Sequence, residues 1–118
     1  MVKVRLPFPV SVNAMYGNKR WTSGGKGRYP TKEFKDWKRV AGLQLQSQRI
    51  KPIKSRVEIE IQLSDKRQGD CDSRAKCVLD LLVEYRVIED DRKKFVKSVI
   101  IGWEDVEECV VYIRELEK

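Results

Sequence analysis

Four segments of the chain have the apolar and polar pattern of β-strands. The clearest is VEIEIQL at 57–63, where every second residue is aliphatic and the residues between are Glu or Gln. This alternation has a period of two residues, which is typical of a half-buried strand. The segment 2–6 alternates in the same way before prolines end it. Two further strands are predicted over about 95–103 and 109–115, joined by the acidic connection 104–107.

Two other segments have apolar residues near the spacing of an amphipathic helix. The first runs from Lys32 to about Ile50, with Thr31 as a predicted N-cap and Pro52 beyond its end. The second runs from Asp72 to about Tyr85. The order β-α-β-α-β-β predicts an α/β fold of the α+β type. We expect a single two-layer domain over 1–118, in which a mixed sheet packs with two helices.

The segment 11–30 is rich in glycine, cations and aromatic residues and predicts a mobile basic loop. Its cations are Lys19, Arg20, Lys26 and Arg28, and its large aromatic residues are Tyr16, Trp21 and Tyr29. Two interpretations stay open: an exposed loop whose aromatic residues fold onto the core, or an arm that binds DNA. In an arm, cations contact phosphates and aromatic rings stack on bases unpaired at a branch point. The glycines form no phosphate-binding P-loop, because the GxxxxGK[ST] order is absent.

The charge balance of the chain favours a polyanionic partner. Among 118 residues, 25 are Lys or Arg and 18 are Asp or Glu, which gives a net charge of +7. Such a basic small domain indicates nucleic acid first and an acidic membrane surface second. No apolar run reaches the length of a transmembrane helix, and the N-terminus lacks the apolar region of a signal peptide. We therefore expect a cytoplasmic protein with no membrane partner.

Residue types that are missing narrow the chemistry. The chain has no histidine, which removes the most common general base and the Ser-His and Cys-His nucleophile systems. Its three cysteines have neither a disulfide framework nor a CxxC spacing, as expected for reduced thiols, and they do not indicate a zinc site. In an enzyme, carboxylates and lysine must therefore carry the reaction.

The stretch QGDCDSRAK at 68–76 places Asp70 and Asp72 at the start of the second predicted helix. Helix capping explains one of them, because a carboxylate accepts hydrogen bonds from the free N–H groups there. In extended backbone, residues two apart point to the same side, so the carboxylates repel each other unless a cation offsets them. A third carboxylate, from Asp90 or Asp91, is within reach of the same end of the helix.

Oxygen ligands from a few aspartates suit Mg²⁺ or Mn²⁺. Lys76 follows Asp72 at the i,i+4 spacing, which places both residues on one face of a helix. This pair is interpreted either as a solvated ion pair or as part of a catalytic site. In a catalytic site, the lysine stabilises the charge that develops on a phosphate or orients the attacking water.

Along nearly its whole length the chain resembles the RusA-type Holliday junction resolvases, small homodimeric endonucleases of bacteria and their phages. The resemblance begins at the proline-aromatic-proline element in residues 6–9 and continues in the loop with Asn13 and Asn18. Its most specific part is an ordered set: Lys66-Arg67, Asp70-Cys71-Asp72, Lys76 and Asp90-Asp91.

The resemblance implies a metal-dependent endodeoxyribonuclease, bacterial or phage-encoded, that resolves four-way DNA junctions by paired phosphodiester hydrolysis in a homodimer. It implies that Asp70, Asp72 and Asp91 bind Mg²⁺, with Mn²⁺ as a substitute and Asp90 as the alternative ligand. Lys76 and the three ligand aspartates then form the catalytic set. The predicted DNA contacts are Asn13, Asn18, Lys19, Arg20, Trp21, Lys26, Arg28, Lys66, Arg67 and Arg74.

Two positions depart from the family pattern. Ser73 stands directly after the second aspartate, where members often have Asn, and we expect a small effect because Ser also suits a helix start. Gly69 stands before the first aspartate, where many members have a basic residue. This second departure affects the expected DNA contacts more than the metal site.

Two other functions stay open from the sequence. The first is a catalytically silent nucleic-acid-binding module whose aspartates only cap a helix. The second is a small RNase or a protein-interaction domain, in which the basic charge serves a different partner. Cleavage that depends on a divalent cation separates the endonuclease from the silent module.

Overall fold

The computed structural model of the protein describes residues 1–18 and 28–116. The strands are β1 (Val2–Leu6), β2 (Tyr16–Asn18), β3 (Arg28–Pro30), β4 (Val57–Ser64), β5 (Val96–Glu104) and β6 (Cys109–Glu115). The helices are α1 (Lys32–Ser47) and α2 (Ala75–Glu84), and short 3₁₀ turns form at Val12–Ala14 and Asp72–Arg74. The four long strands and both helices confirm the predicted elements.

The main sheet has the strand order β1-β6-β4-β5. β6 pairs antiparallel with both β1 and β4, whereas β4 and β5 run parallel. A parallel pair needs a crossover connection, and α2 lies in the connection between β4 and β5. The predicted mixed sheet with two helices is therefore confirmed. The acidic segments around 70–72 and 90–91 lie on either side of the crossover helix in the chain.

The hydrophobic core takes every second residue of β4. Val57, Ile59, Ile61 and Leu63 are all at most 1% exposed, whereas the residues between them are half-buried. The same core includes Phe34, Trp37, Ala41 and Leu45 of α1 and Cys77, Val78, Leu81 and Leu82 of α2. The apolar faces of both helices and of β4 therefore pack in one core, as the sequence pattern predicts.

The two helices approach each other closely at Gly42. A Cβ atom at this position would lie 2.0 Å from the hydroxyl oxygen of Tyr85, which follows α2. A side chain larger than hydrogen at this position would have to displace the Tyr85 ring.

Thr31 is confirmed as the N-cap of α1. Its side-chain oxygen accepts a hydrogen bond from the backbone N–H of Phe34 at 3.2 Å and donates one to the Ala14 carbonyl at 2.6 Å. The helix ends at Ser47 and not at the expected Ile50. Arg49 adopts a positive φ of 52°, which a right-handed helix cannot continue.

The segment 11–30 contains more regular structure than the expected loop. Tyr16–Asn18 pairs antiparallel with Arg28–Pro30, and Val12–Ala14 forms a 3₁₀ turn. The interpretation of all of 11–30 as a loop is therefore wrong at its ends. Residues 19–27 lie outside the described part of the chain. No described helix is long and apolar enough to cross a membrane.

Candidate active site

Helix α2 organises the polar residues that the sequence singles out. Its first turn carries Lys76, and Asp80 follows one turn later on the same face. Asp70 and Asp72 precede the helix, and Asp90 and Asp91 follow it. Because the other face of α2 is buried in the core, Lys76 and Asp80 lie on its solvent side.

Lys76 lies between two carboxylates. Its Nζ atom is 3.0 Å from Oδ1 of Asp80 and 3.8 Å from Oδ2 of Asp91. The three side chains line a cleft of about 360 Å³ together with Tyr16, Phe34, Lys38, Val83, Glu84 and Asp90. The structure thus brings predicted residues Lys76 and Asp91 together, although their positions are far apart in the chain.

The surroundings of Lys76 keep it charged. The hydrogen bond to Asp80 raises the pKa of Lys76, the charge of Asp91 adds to this effect, and partial burial opposes it. A lysine with a raised pKa is protonated at neutral pH, so it does not act as a general base there. It can supply a fixed positive charge and three hydrogen-bond donors to a phosphate.

The two aspartates after the helix have different partners. The Asp90 carboxylate accepts a hydrogen bond from the backbone N–H of Asp91 at 2.7 Å and forms an ion pair with Arg92. The N–H bond and the neighbouring arginine lower the pKa of Asp90. Asp91 instead points its carboxylate at Lys76. Both aspartates line the cleft, and Asp91 is the one whose carboxylate lies beside Lys76.

Asp70 and Asp72 are exposed and lie outside the residues that line the cleft. Neither carboxylate forms an ion pair with any residue of 1–17 or 30–116. The N-cap positions of the 3₁₀ turn and of α2 are Cys71 and Arg74, and neither makes a side-chain capping bond. Helix capping through such a bond therefore does not explain the two aspartates.

The predicted ligand aspartates are hard oxygen donors and fit Mg²⁺ or Mn²⁺ in their chemistry. Within the described residues, however, no three His, Cys, Asp or Glu side chains lie close enough together to hold a metal ion. The assignment of Asp70, Asp72 and Asp91 as a shared ligand set therefore stays a prediction.

The predicted DNA contacts have different surroundings. Lys66 and Asn13 are exposed, whereas Arg67 donates to both carboxylate oxygens of Glu108, at 3.3 and 2.5 Å. Arg74 donates to the Pro9 carbonyl at 2.7 Å. The backbones of Asn18 and Arg28 pair with each other across β2 and β3. Lys19, Arg20, Trp21 and Lys26 lie outside the described residues.

Asp80 is the functional candidate that the sequence interpretation missed. Its carboxylate forms the shortest ion pair of Lys76, and its side chain is 29% exposed. The signal was present, because Asp80 follows Lys76 at the i,i+4 spacing on a helix. That spacing is also common in solvated ion pairs. Only the position of the Lys76–Asp80 pair beside Asp91 in the cleft distinguishes it from such a pair.

Comparison with known proteins places the chain in a family. A model of the endodeoxyribonuclease RusA family matches residues 9–114, which include both helices, every carboxylate discussed above and Lys76. A search of curated proteins gave no significant match. Because the matched segment spans nearly all of the 118 residues, the chain belongs to the endodeoxyribonuclease RusA family.

Proposed function

We propose that the protein is a metal-dependent endodeoxyribonuclease that resolves four-way DNA junctions by paired phosphodiester hydrolysis. Family membership supports endonucleolytic action on branched DNA. The observation that carries the proposal is the position of Lys76, between Asp80 and Asp91 and at the edge of an open cleft. A charged lysine among carboxylates is suited to a reaction in which negative charge develops on a phosphate.

Asp70, Asp72 and Asp91 are the residues that would hold Mg²⁺ or Mn²⁺, with Asp90 as the alternative ligand. The cation would lower the pKa of an attacking water and offset the charge of the phosphate. The absence of an ion pair between the first two aspartates and any described residue supports this assignment, since their carboxylates remain available as ligands. Asp90 is engaged by Arg92 and by the backbone of Asp91, which favours Asp91 over Asp90.

Lys76 would bind the phosphate that is cleaved. Its ammonium group donates to an oxygen of the scissile phosphate and stabilises the additional negative charge of the transition state. Asp80, one helix turn after Lys76, forms an ion pair with the lysine that raises its pKa. The lysine therefore contributes as a positively charged hydrogen-bond donor and not as a general base.

Two nicks at symmetric positions of a junction require two active sites. We therefore propose that a homodimer acts on the junction, with one site from each subunit. The excess of 25 Lys and Arg over 18 Asp and Glu supports binding to the DNA backbone. Exposed Lys66 and the basic segment around 19–28 are the proposed contacts.

The alternative function is a nucleic-acid-binding module without catalysis. It explains the basic charge equally well, but it rests on aspartates that cap a helix, and no side-chain capping bond forms at either N-cap position before α2. We therefore prefer the endonuclease.

The test is cleavage of a labelled four-way junction and of a linear duplex with the same sequence, with Mg²⁺, with Mn²⁺ and with EDTA. We expect paired symmetric nicks in the junction only, lost in EDTA. Tight junction binding without cleavage under any metal would leave the silent binding module. Cleavage of linear duplex and junction at equal rates would contradict structure selectivity.

A further inference from the structure

Arg74 is held by protein groups next to the predicted metal ligands. It ends the 3₁₀ turn Asp72–Arg74, and its Nη1 atom donates to the Pro9 carbonyl at 2.7 Å. Its guanidinium carbon also lies 4.7 Å from the centre of the Phe8 ring, within the range of a cation–π contact. Arg74 therefore links Phe8 and Pro9, which precede β2, to the turn that carries the aspartates.

The same guanidinium fills the space beside Gly69. An ideal Cβ on Gly69 would lie 2.7 Å from Nη2 of Arg74, which is too close for a real side chain. The backbone of Gly69 has φ of +114°, a conformation that L-residues rarely adopt. Gly69 directly precedes Asp70, so the arginine packs on the backbone that leads into the aspartates.

The orientation of Arg74 is inward. Its Nε atom is buried and has no hydrogen-bond partner among the described residues. A phosphate contact through the edge formed by Nε and one Nη atom would require this donor to be exposed. On the other side of the turn, Arg67 is engaged by Glu108 and lies 5.3 Å from the same Phe8 ring.

We propose that Arg74 is a positioning residue for the cleavage reaction, which holds the segment 70–72 in place by packing between Phe8, Pro9 and Gly69, and that it does not contact DNA. This role rests on the proposed function. The role requires arginine, because a planar guanidinium can stack on a ring and donate hydrogen bonds from its edge at the same time. The ammonium group of lysine has no such plane. Loss of the packing displaces the aspartates, and displacement by about 1 Å can cost about 100-fold in rate.

The test compares Arg74→Lys, Arg74→Ala and the matched control Arg39→Lys, which exchanges an exposed arginine of α1. Single-turnover cleavage at saturating protein gives the rate, and junction binding in EDTA over a salt series gives the affinity. For Arg74→Lys we expect a rate loss of about 10- to 100-fold with unchanged affinity and salt slope. Arg39→Lys should change neither quantity.

A phosphate contact gives the opposite result. Arg74→Lys would then keep both cleavage and binding, and Arg74→Ala would weaken binding and lower the salt slope by about one. Either finding overturns the positioning role. A wild-type protein that cleaves no junction would overturn the proposed function itself, so the two failures are distinguishable.

A second pair of variants uses the Arg74→Lys background and so does not depend on the folding of Arg74→Ala. Gly69→Ala introduces the Cβ that collides with Nη2 and also strains a backbone with φ of +114°, so it should reduce the cleavage rate strongly. The backbone strain is the same in both backgrounds, but Arg74→Lys lacks the Nη2 atom, so the same change should reduce the rate there by a smaller factor. The thermal unfolding midpoints of the four proteins should show the same coupling. Equal effects of Gly69→Ala in both backgrounds would contradict the packing and overturn the proposal.

Discussion

The two acidic turns on either side of α2 contain the same residue type in opposite electrostatic environments. After the helix, Asp90 pairs with Arg92 and Asp91 faces Lys76. Before the helix, Asp70 and Asp72 are exposed and pair with no cation in the described part of the chain.

The proposed metal site accounts for this difference. The turn after the helix is balanced by the protein's own side chains and can be preorganised before DNA binds. The carboxylates of the turn before the helix have no ion-pair partner among the described side chains. In the proposed site, a divalent cation would bind them together with Asp91, and this would join the two turns into one site.

The largest effect is expected from Asp72→Asn. The change removes a proposed metal ligand but keeps the size of the side chain, so cleavage of the four-way junction should fall by about 10³-fold or more. Junction binding should be retained or become tighter, because a negative charge near the phosphate is lost. Single-turnover cleavage with Mg²⁺ and binding in EDTA measure the two effects separately.

Asp65→Asn is the matched control for this change. It removes the same charge from another exposed aspartate, at the end of β4 and before the basic turn. Cleavage by this variant should stay close to that of the wild type. Equal losses in Asp65→Asn and Asp72→Asn would show that overall charge is responsible and would contradict a ligand role.

A smaller effect should separate the two aspartates of the second turn. Asp91→Asn removes a proposed ligand and the second partner of Lys76, and it should reduce cleavage by about 100-fold or more. Asp90→Asn removes the ion pair with Arg92 but keeps an oxygen that can accept from the Asp91 backbone N–H, and its rate should fall by about tenfold or less. The same single-turnover assay compares them. A larger loss in Asp90→Asn would reverse the assignment of ligand and turn residue.

Asp80→Asn should reduce the cleavage rate moderately, through its effect on Lys76. The amide loses the ion pair at 3.0 Å but keeps an oxygen that can accept a hydrogen bond from Lys76. We expect the saturated cleavage rate to fall by about tenfold, with little change in junction affinity. Asp80→Glu, which keeps the charge, should recover part of the rate. If Asp80→Asn cleaves as fast as the wild type, the lysine does not depend on this partner.

The sequence predicted the long elements well because their signals are local. Alternation over 57–63 and helical spacing from Lys32 to about Ile50 each follow from one buried face, and the structure confirms both elements, with the helix ending at Ser47. The pairing of Tyr16–Asn18 with Arg28–Pro30 was missed, since three-residue strands carry too few positions to show a period. Their pairing depends on contacts with the rest of the fold, such as the bond from Thr31 to Ala14.

The candidate site was predictable only in part for a related reason. Motif spacing points to Lys76 and to a pair of aspartates after the helix, and only the family resemblance prefers Asp91 to Asp90. That distinction depends on a backbone N–H at 2.7 Å and on Arg92, which appear only when the turn is folded. Asp80 could not be selected from the sequence for the same reason. Its spacing from Lys76 becomes informative only when the fold places Asp91 beside the pair.

The smallest effects are expected at the cysteines. One of them, Cys71, lies in the chain between the two exposed aspartates, so its thiol extends the comparison of the two turns. Cys71 is half-buried, whereas Cys77 of α2 and Cys109 of β6 are 0% and 2% exposed. Near pH 8, a thiol reagent should label Cys71 in the native protein and reach the other two only after unfolding. Cys71→Ser is the control and should abolish the native labelling. Rapid labelling of all three thiols would contradict the buried positions.

The buried thiols also predict how stability depends on pH. Burial raises the pKa of Cys77 and of Cys109 from 9.0 to about 12 in the folded protein. In the unfolded chain the thiols ionise near their ordinary pKa, so deprotonation favours the unfolded state. Their contribution to the free energy of unfolding is therefore complete below pH 9.0 and is lost as the pH rises toward about 12. Denaturant titrations of the wild type and of Cys109→Ala measure this, and the alanine variant should lose less stability over that interval. A variant that follows the wild-type curve throughout would show that the Cys109 thiol does not ionise differently in the two states.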